Sequence, residues 1–167
     1  MYKRLCPCYY RLMEMEIKKY GDNVLRQKTK KIKDPLAKDV QELILSMLET
    51  MREANGLGLA APQVGKDLRI CVIEEGGVTY ILINPQITAK SRKRVVAEEG
   101  CLSFPGEFFQ ISRPEEVKVR YVDKTGVAKK IKADGLLGRA LQHEIDHLDG
   151  ILVIDRLKKA KSKQQQK

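Results

Sequence analysis

The chain contains two histidines, and they stand four residues apart in His143-Glu144-Ile145-Asp146-His147. Residues at that spacing share one face of a helix, so both imidazoles can reach a single cation while Glu144, one position along, leans toward water beside it. The competing explanation is a chance match on a polar helix. Confinement of every histidine to this one segment counts against it, and the pattern points to a divalent metal used for hydrolysis.

A catalytic metal usually takes three protein ligands and keeps a position open, so the third ligand divides the possible functions. Beyond His147 no further His, Cys or Glu follows Glu144, and only Asp146, Asp149 and Asp155 remain there as candidates. In the longer pattern H-E-x-x-H-x-x-G-x-x-H, Gly150 fits but Val153 occupies the last position. The ligand is therefore sought upstream, where residues 98–105 read EEGCLSFP, a loop punctuated by Gly and Pro, and offer Cys101. Its thiolate suits a borderline-soft divalent ion such as Fe2+, Zn2+, Ni2+ or Co2+. An isolated cysteine is more often a small buried hydrophobe, a description that Cys71, inside an apolar run at 70–73, fits better.

A third segment, GLGLAAPQVG at 56–65, combines small residues that let a backbone approach a ligand with Gln63, whose amide can donate to a developing oxyanion. Gly56 and Gly58 supply a G-x-G, but the segment follows a helix, whereas a dinucleotide-binding loop follows a strand and opens a helix.

These residues need elements to hold them. Apolar positions Leu36, Val40, Leu43, Ile44, Met47, Leu48 and Met51 recur every three or four residues behind Asp34 as N-cap and Pro35 at the first helical position, which predicts an amphipathic helix closing near Gly56. Short strands are expected at 69–73, 80–83, 117–122 and 127–132, the last two joined into a hairpin by Asp123-Lys124-Thr125-Gly126. Asp134 then caps a second helix over 135–148 that Gly150 stops. Helix, strands, helix is not a βαβ alternation. The expected fold is α+β, one domain of short, mostly antiparallel strands around the H-E-x-x-H helix.

At 167 residues the chain fits a single core without disulfide support. Residues 1–14 read as an N-terminal extension, 15–157 as the catalytic domain and 158–167 as a polar basic tail. No window approaches the roughly 18 apolar residues of a spanning helix, and residues 1–11 lack the apolar run of an export signal. A cytoplasmic protein with reduced thiols is expected, and Cys6 and Cys8 read as incidental. The net charge of +10 would attract polyanions, although no nucleic-acid module is recognisable.

Taken in order and at their separations, GLGLAAPQVG, EEGCLSFP and QHEIDHLDG resemble the three signature motifs of peptide deformylase, and the similarity runs over roughly residues 17–157. The resemblance implies that Cys101, His143 and His147 bind one metal, Fe2+ foremost, and that Glu144 carries the proton. It implies hydrolysis of the N-formyl group of formylmethionyl peptides, with release of formate. Gln63 and the backbone N–H of Leu102 would stabilise the oxyanion. The substrate methionine would sit on Leu57, Leu136, Arg139 and Ala140, with Gly58 offering backbone hydrogen bonds. The Arg139 stem would line that pocket with its head in solvent, or the residue would lie on the surface, while Leu136 and Ala140 read equally as core. Substrates of the family emerge at the ribosome, which suits the positive charge. Two other functions compete: an H-E-x-x-H peptidase with a carboxylate or histidine as third ligand, and a catalytically silent relative that binds metal or ribosomes.

Overall fold

Ile70, Cys71, Val72 and Ile73 are apolar on both faces of a would-be strand, and such a strand must be covered from both sides. In the computed structural model, which describes residues 15–157, that is their situation. The elements, numbered in chain order, are α1 (Lys38–Glu53), β1 (Gly58–Ala60), β2 (Ile70–Glu75), β3 (Val78–Lys90), β4 (Arg94–Cys101), β5 (Phe104–Pro114), β6 (Val117–Val122), β7 (Ala128–Ala133) and α2 (Gly135–Leu148). Residues 1–14, with Cys6 and Cys8, and residues 158–167 lie outside the described residues.

Strands β1-β2-β3-β6-β7 form an antiparallel sheet in that order, and residues 70–73 of β2 are fully buried within it. Ile70 and Val72 pack on the α1 face made by Val40, Leu43, Ile44, Met47, Leu48 and Met51. Cys71 and Ile73 face Ala140, Leu141, Ile145 and Leu148 of α2. Each fully buried Leu or Ile contributes about 1.5–3 kcal/mol, so this two-sided packing fixes α2 on the sheet, and with it both histidines. Met47 and Met51 are core, and burial pushes the Cys71 thiol well above its usual range, as suits an inert packing residue.

The α+β expectation holds, with three local corrections. Asp34 does not cap α1. Its carboxylate accepts from Leu36 N (2.9 Å) in a turn, Ala37 precedes the first helical residue with extended dihedrals, and Leu36 is consequently exposed. The Asp134 side chain makes no capping hydrogen bond either; its backbone carbonyl accepts from Gly138 N. The strand expected at 80–83 runs on to Lys90, because a register shift between Ile83 and Gln86 absorbs Pro85. Gly150 does end α2. Its φ is +72°, and a Cβ there would lie 2.5 Å from the Arg26 carbonyl oxygen. After it, residues 153–157 are helical, and Leu152 and Val153 pack with Leu25, Phe104 and Ile111.

The hairpin β4–β5 is a separate two-stranded sheet, and the segment around Cys101, read from sequence as a loop, is its closed end. Most of β4 is solvent-facing, its valines included, and β5 carries Pro105, Gly106 and Pro114, so neither strand shows apolar alternation. Among the described residues, no helix is long and apolar enough to cross a membrane.

Candidate active site

The α2 helix is held by its apolar face, which leaves His143, Glu144 and His147 facing the end of the β4–β5 hairpin. The Cys101 Sγ lies 3.3 Å from His147 Nε2, and that atom lies 3.2 Å from His143 Nε2. A thiol sulfur and two imidazole nitrogens, from two elements 42 residues apart (143 minus 101), thus lie within 4.8 Å of one another. That donor set suits a borderline-soft divalent cation. The downstream carboxylates are engaged elsewhere. Asp146 Oδ2 accepts from Arg113 (2.7 Å) and Arg156 (2.8 Å), Asp149 pairs with Arg69 (2.8 Å), and Asp155 pairs with Arg26.

Glu144 is buried on the cleft side of α2, and its Oε2 has no hydrogen-bond partner. Burial pushes its carboxyl up to about 7, against attraction from His143 and Arg113. Gly58 makes room for it, since a Cβ at that position would lie 2.5 Å from Glu144 Oε1. An orphaned buried carboxylate oxygen beside three converging soft donors is what a site for a cation and its substrate requires.

Gln63 is fixed from behind. The Ala60 N–H donates to its Oε1 (2.9 Å), which turns the amide NH2 toward Ser103 Oγ (3.3 Å) and Cys101 Sγ (3.7 Å). Leu102 and Ser103 make the turn between β4 and β5, where Leu102 O accepts from the Lys19 ammonium (2.9 Å). Leu57, Gly58, Gln63, Cys101, Leu102, Leu136, Arg139, Ala140, His143 and Glu144 all line one cleft of about 590 Å³.

A family model for polypeptide deformylase matches residues 14–163. The chain belongs to the peptide deformylase family. The peptide deformylase of Thermodesulfovibrio yellowstonii is 50% identical over 148 residues, which cover 86% of this chain and 88% of that protein. The crystal structure of Thermotoga maritima peptide deformylase superposes with a TM-score of 0.84 at 40% identity, covering 86% of this chain and 97% of the other. That of a peptide deformylase from Synechococcus elongatus in complex with actinonin gives 0.81 at 41% identity, over 85% and 79% of the two chains. As a peptide deformylase the chain is a metal-dependent amide hydrolase that removes the N-formyl group from nascent polypeptides.

Two residues of this peptide deformylase sit differently from what the motifs suggested. The Arg139 head is not in solvent: it bonds Glu99 Oε1 (2.6 Å), Val95 O (2.9 Å) and Ile111 O (3.0 Å), tying α2 to both strands of the hairpin. Leu136 is 54% exposed at the cleft rim and is not core, whereas Ala140 is packed in the core.

Sequence reasoning missed the support beneath the site. Glu99 Oε2 lies 3.0 Å from His143 Nδ1, and Arg113 grips the same carboxylate with Nε (2.6 Å) and Nη2 (2.9 Å). Burial alone would raise the Glu99 carboxyl, but the hydrogen bonds with His143 and Arg113 outweigh it and hold it at about 2. The ionised carboxylate fixes Nδ1 as the protonated nitrogen and leaves Nε2 free to ligate. Only the position of Glu99 two residues before Cys101 signalled this, and nothing in the sequence marked Arg113.

Proposed function

We propose that Cys101, His143 and His147 hold one divalent cation, Fe2+ in the cell, and that Glu144, Gln63 and Leu102 work on a formylmethionyl peptide in the cleft beside it. The observation that carries this division of roles is the convergence of the three donor atoms next to a buried carboxylate with an unpartnered oxygen. The donor set also accepts Zn2+, Ni2+ or Co2+. When bound, the cation supplies Lewis acidity toward water and the formyl carbonyl.

Glu144 takes a proton from the attacking water and returns it to the leaving amine nitrogen; its raised pKa suits both transfers. The Gln63 amide NH2, aimed by Ala60, donates to the oxyanion, with the backbone N–H of Leu102 as second donor. Leu57, Leu136, Ala140 and the stem of Arg139 receive the methionine side chain, and the Gly58 backbone holds the peptide. We assign residues 15–157 to the catalytic domain, 1–14 to an extension and 158–167 to a basic tail. The enzyme works in the cytoplasm, and its charge of +10 favours an encounter with ribosomal RNA. Sedimentation free of ribosomes at low salt would sink that last point.

The peptidase reading is disfavoured because each downstream carboxylate it needs is already in an ion pair. The silent-relative reading is disfavoured because no expected position is broken.

The deciding experiment measures formate release from formyl-Met-Ala-Ser by anaerobically purified protein, beside Cys101→Ala and Glu144→Ala, with metal content determined on each. We expect metal to be lost with Cys101 and activity alone with Glu144. Retention of metal by Cys101→Ala would overturn the ligand assignment.

A further inference from the structure

On the other side of α2 from the cleft, the helix, the sheet edge at β6–β7 and the residue 28–31 segment enclose a second groove of about 840 Å³ that shares no lining residue with the first. Eight lysines and arginines line it against two aspartates. Both aspartates are already matched, Asp149 by Arg69 and Asp146 by Arg113 and Arg156. Lys28, Lys31, Lys90 and Lys130 are exposed, and among the described residues none of the four is in a salt bridge, although Lys90 is within the field of Asp146. Lys90 is held below the usual lysine range, first by partial desolvation of its ammonium and then by repulsion from Arg156, Arg113 and Arg94, which together outweigh attraction from Asp146. Between these cations lies the half-buried Tyr121.

We propose that this groove binds a single-stranded RNA segment, its phosphates on Lys28, Lys31, Lys90 and Lys130 and a base stacked on Tyr121. Free cations along a concave groove neutralise successive phosphates, and an aromatic face among them serves any base, which together give affinity without sequence preference. A flat anionic bilayer cannot enter a groove between a helix and a sheet edge, and an acidic peptide gains nothing from a stacking face. The proposal deepens the ribosomal encounter suggested above by giving it a surface, and it is independent of the hydrolytic chemistry because the groove and the cleft occupy different faces of α2.

The test is fluorescence anisotropy of labelled U12 with the metal-loaded full-length protein between 50 and 200 mM KCl. Wild type should bind with affinity falling steeply with salt, the log–log slope amounting to about 0.7 per phosphate neutralised. Combined Lys28→Glu, Lys31→Glu, Lys90→Glu and Lys130→Glu should weaken binding at least about tenfold and flatten that slope, with formate release unchanged. Tyr121→Leu should weaken it about tenfold and Tyr121→Phe should not. Equal binding by wild type and the charge-reversed variant would overturn the groove, and displacement of U12 by polyglutamate as readily as by unlabelled U12 would overturn RNA as its occupant. Formate release and ribosome sedimentation are read separately, so failure here is distinguishable from failure of either.

Discussion

The Glu99 carboxylate and the His143 imidazole lie 3.0 Å apart, on different elements, and together determine which nitrogen of His143 is available to a cation. Arg113 and Arg139 hold Glu99 from behind. Glu99→Gln keeps the volume but loses the anion that fixes the ring. Metal affinity, measured by competition with a chelator, should fall about 10–100-fold while the three ligands remain. Unchanged affinity would reduce Glu99 to a structural ion pair.

Gly58→Ala tests the seat of Glu144. Gly58 does not sit at positive φ, so alanine strains no backbone, but its Cβ would meet Glu144 Oε1 at 2.5 Å and the carboxylate must move. A displacement of about 1 Å at a reacting group costs on the order of 100-fold in kcat/KM. Metal content should be retained, and a variant with full activity would show that Glu144 need not be where it lies.

Asp146→Asn separates the two views of the third ligand. Asp146 is buried between Arg113 and Arg156, and removing one member of a buried ion pair costs about 3–5 kcal/mol. We expect the low end, near 3 kcal/mol, because Arg113 keeps Glu99. Thermal unfolding should show that loss with the metal still bound; loss of metal would return Asp146 to the list of ligands.

Acid stability has a contribution from a pair far from the cleft. Hydrogen bonds from Arg52 and Thr79 hold the Glu74 carboxyl at about 2, linking the end of α1 to β2. A depressed folded pKa gives stability that is present above the unfolded value, roughly 4.3, and is lost as pH falls toward 2. Glu74→Gln should therefore cost less than about 1 kcal/mol at pH 7, the pair being partly exposed, and nothing near pH 2. Urea midpoints at both pH values give the answer, and a loss that grows on acidification would contradict it.

The two helices and the strands β2, β6 and β7 were legible because each carries its burial pattern in its own residues. The hairpin β4–β5 was not, because a two-stranded sheet covered on one side has little apolar alternation to display, and Pro105, Gly106 and Pro114 read as loop. Asp34 misled for a related reason: a capping residue type shows that a cap is available, and only backbone dihedrals decide where the helix starts, whereas Asp134 does occupy the N-cap position of α2 but without a side-chain capping hydrogen bond.

By itself the sequence determined the donor types and their helical spacing, because His143, Glu144 and His147 fall on successive turns of one helix and local geometry alone places them. It also determined the family, through three motifs in fixed order. Which cysteine meets the histidines, which nitrogen of His143 is presented and which way the Gln63 amide turns were decided by tertiary structure. Each depends on residues distant in the chain, Cys101 on the β4–β5 end, Glu99 and Arg113 on paired strands, Ala60 behind Gln63, and no local pattern encodes a contact between them. The basic groove belongs to the same class. Its four free lysines come from three separate segments and become one surface only when the sheet edge closes against α2.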